Sequence, residues 1–155
     1  MSPAIHFYTD AAKSQGLYGI IFGTSWAFGE WPAHWKTKDI SFLELFPIVL
    51  GLRMWCDRLK NQRVIFVSDN DSVGHVINKQ TAKDKELLSL LRQLVLTCLS
   101  YNILFKARHL AGSKNTLADS LSWLQVDKFT RLSDGVDQAP TSIPPELQPA
   151  NWVLH

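Results

Sequence analysis

The sequence predicts an α/β domain, a five-stranded mixed sheet in the order βββαβααβα with helices packed on it. Three observations lead there. Short alternating or wholly apolar runs recur at residues 4–10, 18–22, 26–31, 63–68 and 103–107, with the lengths and periods of strands. Stretches carrying apolar residues at helical spacing separate the later runs. The chain has 155 residues, 46% hydrophobic and 19% charged, which suits one buried core and excludes a disordered tail or a coiled coil.

Residues 4–10 place Ile5, Phe7 and Thr9 on one face of a first strand. Gly16 and Gly19 mark the turn into 18–22, and Gly23-Thr-Ser breaks that strand before 26–31, giving an antiparallel meander. Residues 32–39 form a loop. Ser41 opens a helix with Leu45, Ile48, Val49, Leu52, Trp55 and Leu59 at helical spacing, and Pro47 inside it removes one backbone hydrogen bond. Val64 to Val67 is the continuous apolar run of a strand buried on both faces. A short helix is expected at 71–79 and a longer one at 84–100, followed by the fifth strand. Asn115 caps a last helix, 116–124. The segment 125–155, rich in proline at Pro140, Pro144, Pro145 and Pro149, reads as an extended linker with few apolar anchors beyond a domain at 1–124.

The longest apolar stretch, 45–52, is far short of the roughly 20 residues that cross a bilayer, so no membrane partner is expected. Met-Ser-Pro-Ala-Ile-His has no basic region leading into an apolar run, and Cys56 and Cys98 lack a CxxC spacing. An intracellular, reduced, non-secreted protein is the expectation. Net charge is only +2, but residues 1–124 hold fourteen basic and ten acidic residues. If four of those acids share one site, the remaining surface is strongly basic, as an enzyme acting on a polyanion through cations requires.

Four acids occupy comparable positions: Asp10 ends the first strand, Glu44 lies in the first turn of the first helix, Asp69 ends the central strand, and Asp119 opens the last helix. If the first and fourth strands are neighbours, Asp10 and Asp69 come side by side, and helix starts over the same strand ends add Glu44 and Asp119. Bare carboxylates repel at short range in a low dielectric, so such a quartet needs cations. Hard oxygen ligands favour Mg²⁺ or Mn²⁺, and two ions about 3.5–4 Å apart support in-line displacement at phosphorus. Each acid alone has a structural alternative. Ser41-Phe-Leu-Glu44 fits a capping box, and Asp69-Asn70-Asp71 fits a helix cap, with Asp71 the cap or a solvated neighbour. Four acids at one sheet edge decide for the metal site.

Thr9-Asp10-Ala-Ala, Gly19, the Trp-x-x-Gly-x-Trp-Pro of 26–32, Leu43-Glu44-Leu45 and Ser68-Asp69-Asn70 together resemble a retroelement ribonuclease H domain. So does Arg108-His109-Leu-Ala-Gly112-Ser-Lys-Asn115-Thr-Leu-Ala118-Asp119-Ser-Leu-Ser122, which is similar to that family's His-x-x-Gly-x-x-Asn-x-x-Ala-Asp-x-Leu-Ser signature. The resemblance covers about residues 5–123, and Leu45-Phe-Pro and the Pro-rich tail look more like DIRS-type or gypsy-type elements than retroviruses. It implies a ribonuclease H-like fold and an endoribonuclease that hydrolyses the RNA strand of RNA–DNA hybrids. Asp10, Glu44, Asp69 and Asp119 would hold two Mg²⁺ or Mn²⁺ ions. His109 would match the mobile-loop histidine, which helps protons or products leave. An upstream reverse transcriptase domain is the implied partner, with no small-molecule cofactor. Trp123 departs from the arginine that often follows Leu-Ser in the family.

Beyond the quartet, Asn70 flanks the metal site as a backbone contact, and Lys79, Lys83, Lys85 and Arg92 form a loose basic stretch that suits a phosphate track. Trp31 and Trp35 suit either the core or base stacking. Two rivals stand beside the hydrolase reading. A 3′–5′ exonuclease of the DEDD type wants Asp-x-Glu on the first strand, where Ala11 and Ala12 follow Asp10. A catalytically silent domain that binds nucleic acid or braces a polymerase is the alternative of a different class.

Overall fold

In the computed structural model, residues 3–110, 137 and 139–154 are described. The strands are β1 (Ile5–Ala12), β2 (Leu17–Phe22), β3 (Ser25–Glu30), β4 (Arg63–Ser68) and β5 (Leu104–His109). The helices are α1 (Ile40–Met54), α2 (Cys56–Leu59), α3 (Asp71–Lys79) and α4 (Lys85–Ser100), with 3₁₀ turns at Ala33–Thr37, Pro145–Leu147 and Pro149–Asn151. The strands form one mixed sheet in the order β3-β2-β1-β4-β5. β1 pairs antiparallel with β2 and parallel with β4, and β4 pairs parallel with β5. The expected element order therefore holds through β5, except that the first helix is divided into α1 and α2. The last helix, with Asn115 and Asp119, lies outside the described residues.

The core sits between one sheet face and the helices. Phe7, Tyr18, Ile20 and Phe66 project from the sheet toward Phe42, Phe46, Leu50 and Leu94. α1 is buried continuously from Phe42 to Leu52, because its sequence is apolar all round and no face is fit for solvent. At Gly51 it comes so near the sheet that a Cβ would overlap the Phe7 ring. The cap of α1 is Asp39, whose carboxylate accepts from Ser41 N–H at 2.8 Å, so the capping box expected at Ser41 and Glu44 is not the one used. The helix stops at Met54 rather than running to Leu59. Trp55 leaves helical backbone (φ −116°, ψ 21°) to bury its ring on Phe7 and Phe22.

Boundary differences bear on the site. β1 runs two residues past Asp10, so Asp10 lies inside the strand, and β5 extends to His109. α3 is capped by Asn70, not Asp71: Asn70 Oδ1 accepts from Val73 N–H at 3.0 Å. Trp31 and Trp35 are core residues, which removes them as stacking platforms.

The expectation of a tail with few apolar anchors is corrected. Asp137 N–H donates to the Thr24 carbonyl and Thr141 N–H to the Trp26 carbonyl, both at 2.8 Å. Trp26 Nε1 donates to the Asp137 carbonyl at 2.7 Å. Farther on, Leu147 and Trp152 are buried at 7% and 9% exposure. The Trp152 ring packs edge-on against Phe46 with centroids 4.8 Å apart, under the Arg53 guanidinium, and Gln93 of α4 donates to the Val153 carbonyl at 3.0 Å. The described part of the tail thus straps the outer edge strand to α1 and α4. No helix among the described residues is long and apolar enough to cross a membrane.

Candidate metal centre

β1 and β4 carry the first two acids to one place. Their parallel register ends at Tyr8↔Val67; two residues farther along each chain stand Asp10 and Asp69. β1 continues alone beside β2, where Asp10 faces Gly19, a position without a side chain to crowd the carboxylate. Glu44 comes from the second turn of α1 and is the sole charged residue between Asp39 and Arg53. Ser41 Oγ meets Ser72 Oγ at 3.3 Å, tying the start of α1 to the start of α3 directly beyond Asp69.

One carboxylate oxygen from each of Asp10, Glu44 and Asp69 lies within 4.8 Å of the other two. Asp10 and Glu44 are only 3% and 5% exposed. Burial, and then the charges of Asp10 and Asp69, push the Glu44 carboxyl up to about 9 from its usual 4.5. Glu44 Oε2 is buried with no hydrogen-bond partner among the described residues. A lone pair stripped of water and unpaired costs about 1–3 kcal/mol. A hard divalent cation held by these carboxylates would offset both the desolvation penalty and the repulsion. The donor set, all oxygen and all anionic when ionised, fits Mg²⁺ or Mn²⁺ and is unsuited to softer metals.

His109 ends β5 beside Ser68 in the register. Its ring is exposed at the rim, and Nε2 lies 3.1 Å from the Asp69 carbonyl oxygen, to which it donates as the N–H tautomer. It thus borders the acids and is absent from the cluster. Leu110 N–H continues the ladder to the Ser68 carbonyl at 2.9 Å. Between α3 and β5 runs a groove of about 610 Å³, lined by Asp71, Ser72, His75, Asn78, Lys79 and His109. It joins the rim of the site to the first cation of the expected phosphate track.

Lys79, Lys83, Lys85 and Arg92 are all exposed, and among the described residues none is in an ion pair, in contrast to Lys38, which holds Glu86 at 2.6 Å. Asn70 commits its carbonyl oxygen to capping α3 and keeps its amide hydrogens for other partners. Sequence reasoning missed Asn78, whose carboxamide bonds both backbone groups of Ala107. An asparagine near a helix end carries no sign in sequence of a partner 29 residues away.

No protein-family model and no curated protein matches the chain. Solved structures do. Ribonuclease H1 of the halophilic archaeon Halobacterium salinarum superposes with a TM-score of 0.65 at 13% identity, over 81% of this chain and 99% of that one. The N-terminal RNase H domain of a Mycobacterium tuberculosis protein, solved as a fusion with maltose binding protein, gives 0.57 at 15% identity over 77% and 95%. The compost-metagenome LC11-RNase H1, solved with an RNA/DNA hybrid, gives 0.56 at 21% identity over 83% and 99%. The chain has the ribonuclease H-like fold.

Proposed function

We propose that this chain is a ribonuclease H: an endoribonuclease that hydrolyses the RNA strand of RNA–DNA hybrids with two divalent ions, inside the cell. We place it in a retroelement reverse transcriptase polyprotein of the DIRS or gypsy type, with the catalytic unit at 1–124 and a Pro-rich extension at 125–155. The observation that carries the reading is the convergence of Asp10, Glu44 and Asp69 from three separate elements on one buried spot. Helix caps and surface salt bridges have no use for it. The fold shared with ribonucleases H, one of them solved on an RNA/DNA hybrid, supports the substrate class.

Asp10, Glu44 and Asp69, joined by Asp119, would hold Mg²⁺ or Mn²⁺. When bound, such ions lower the pKa of the attacking water and stabilise charge on the leaving 3′-oxygen. The protein's own part is placement. The β1 and β4 ladders fix Asp10 and Asp69, α1 supplies Glu44 from above, and the surrounding apolar core excludes bulk water from the inner side of the cluster. A water oxygen bonds to phosphorus as the phosphorus–O3′ bond breaks, leaving a 5′-phosphate and a 3′-hydroxyl. His109, exposed at the rim, passes the proton or eases product departure. Selectivity for hybrid follows from contacts to the RNA strand's 2′-hydroxyls and from hybrid shape, with Asn70 and the groove toward Lys79 as candidate contacts. Lys83, Lys85 and Arg92 extend the track, and an upstream polymerase domain completes the grip.

The test is cleavage of labelled RNA–DNA hybrid, double-stranded RNA and double-stranded DNA, with Mg²⁺, with Mn²⁺ and with chelator. Metal-dependent cutting of the hybrid's RNA strand, abolished by Asp10→Asn or Asp69→Asn, is the expected result. Binding without cleavage in either metal would favour the silent, polymerase-bracing alternative and overturn the proposal.

A further inference from the structure

We infer that Asn78 is a positioning residue for this reaction, acting through His109; the inference rests on the function proposed above. β5 is an edge strand, and at Ala107 its backbone N–H and carbonyl both turn away from β4. Asn78 Oδ1 accepts from that N–H at 2.8 Å, and Asn78 Nδ2 donates to that carbonyl at 3.0 Å. A carboxamide offers one acceptor and one donor side by side, so Asn78 stands in for a residue of a sixth strand.

The clamp closes a circuit around the site. β4 leads through Asp69 into α3, which Asn70 caps at the site end. Asn78 then fastens the far end of α3 to Ala107, two residues before His109, and the His109 ring returns to the Asp69 carbonyl. Elsewhere α3 and β5 meet through van der Waals packing, with Gly74 lying over Ala107, which does not fix the strand's direction as two hydrogen bonds do. Without the carboxamide, the end of β5 keeps its β4 ladder and the packing on α3 but loses the two hydrogen bonds that tie it to that helix. Asn78 is itself exposed, so its two bonds compete with water and add little to global stability. Catalytic geometry is far more sensitive, since a misplacement of about 1 Å can cost about a hundredfold in rate.

The experiment uses the full chain. Asn78→Ala should lower kcat on hybrid about fivefold to tenfold, with KM changed less than about twofold and Tm by no more than about 2 °C. Asn78→Asp, which sets a carboxylate oxygen against the Ala107 carbonyl, should lose as much. In a His109→Ala background, Asn78→Ala should cost nothing further in kcat, because one residue acts through the other. Additive losses would overturn the inference. A substrate-free readout separates it from the functional reading: the His109 ring ¹⁵N–¹H correlations, recorded at one pH, should shift in Asn78→Ala. A ring that does not move overturns the clamp even if the wild type cuts hybrid. A ring that moves in a protein that cuts nothing upholds the clamp as a device positioning His109 and overturns the function alone.

Discussion

Replacing Glu44 by glutamine should raise the stability of the metal-free protein, and by an amount that grows with pH. Burial and the neighbouring Asp10 and Asp69 charges move the Glu44 carboxyl from 4.5 to about 9. Across that window the folded chain keeps a proton that the unfolded chain has released. The folded state binds more protons, so stability falls as pH rises, by about 1.4 kcal/mol per unit, until the folded carboxyl ionises. From about pH 4.5 to about pH 7 the loss reaches about 3 kcal/mol, which for a chain of this size is about 6–12 °C in Tm. Glutamine keeps the shape and does not titrate. Any fixed penalty for burying its amide shifts the whole curve without changing its slope, and titration of other groups is common to both proteins. Urea unfolding in chelator from about pH 5 to about pH 8 should therefore show a stability gap between variant and wild type that widens with pH. Added Mg²⁺ should stabilise the wild type and do much less for Glu44→Gln. Parallel pH profiles for the two proteins would refute the account of Glu44 as a strained, buried member of the site.

Trp152→Ala removes a ring packed on Phe46 and Arg53 at the rim of the core, so thermal unfolding should show a loss of about 2–3 kcal/mol, about 5–10 °C; no loss would mean that the strap is not anchored there. His109→Ala should slow turnover while leaving the calorimetric heat of Mg²⁺ binding intact, since the ring lies outside the acidic cluster; a lost heat would make His109 a ligand. Hybrid binding by this chain alone should be weak at physiological salt, and Lys79→Ala, Lys83→Ala and Arg92→Ala should each flatten the log–log salt slope by about one unit, as a filter-binding titration would show.

What could be read in the sequence was what one segment declares by itself. β4 and α3 stand where they were expected because an unbroken apolar run, Val64 to Val67, gives way at once to Asp69 and a capping asparagine. Glu44 was placed in the first turn of the first helix, and because the cap is Asp39 it stands in the second. The far ends of β1 and β5 were read short, because Ala11, Ala12, Arg108 and His109 lack strand alternation and are held by their neighbours' ladders. Asp39 displaced Ser41 as the cap of α1 through hydrogen-bond geometry that spacing alone does not separate. Trp152 sits among prolines with no periodic context, and its partner Phe46 is more than a hundred residues earlier. Asn78 had no local sign at all, because the group it completes is the backbone of another strand.

The order β3-β2-β1-β4-β5 explains why the acids meet where they do. From β1 the chain turns outward to β2 and β3, then returns through α1 to lay β4 on the other side of β1. The two parallel strands at that reversal end together, and open α/β sheets offer their natural crevice at such a point. Past Tyr8 and Val67 the β1–β4 pairing stops, so Asp10 and Asp69 stand where the strands part, and α1, crossing above, sets Glu44 between them. An apolar side chain at position 44 would pack on that helix without penalty. A carboxylate there loses water, gains two like charges and leaves Oε2 unpaired among the described residues. Asp10, Glu44 and Asp69 would hold a divalent cation, and its charge would offset the repulsion and the desolvation that the metal-free chain carries at Glu44. On the proposed function, the strain at Glu44 and the affinity for a divalent ion would be one property of the site, and the glutamine variant should lose both together.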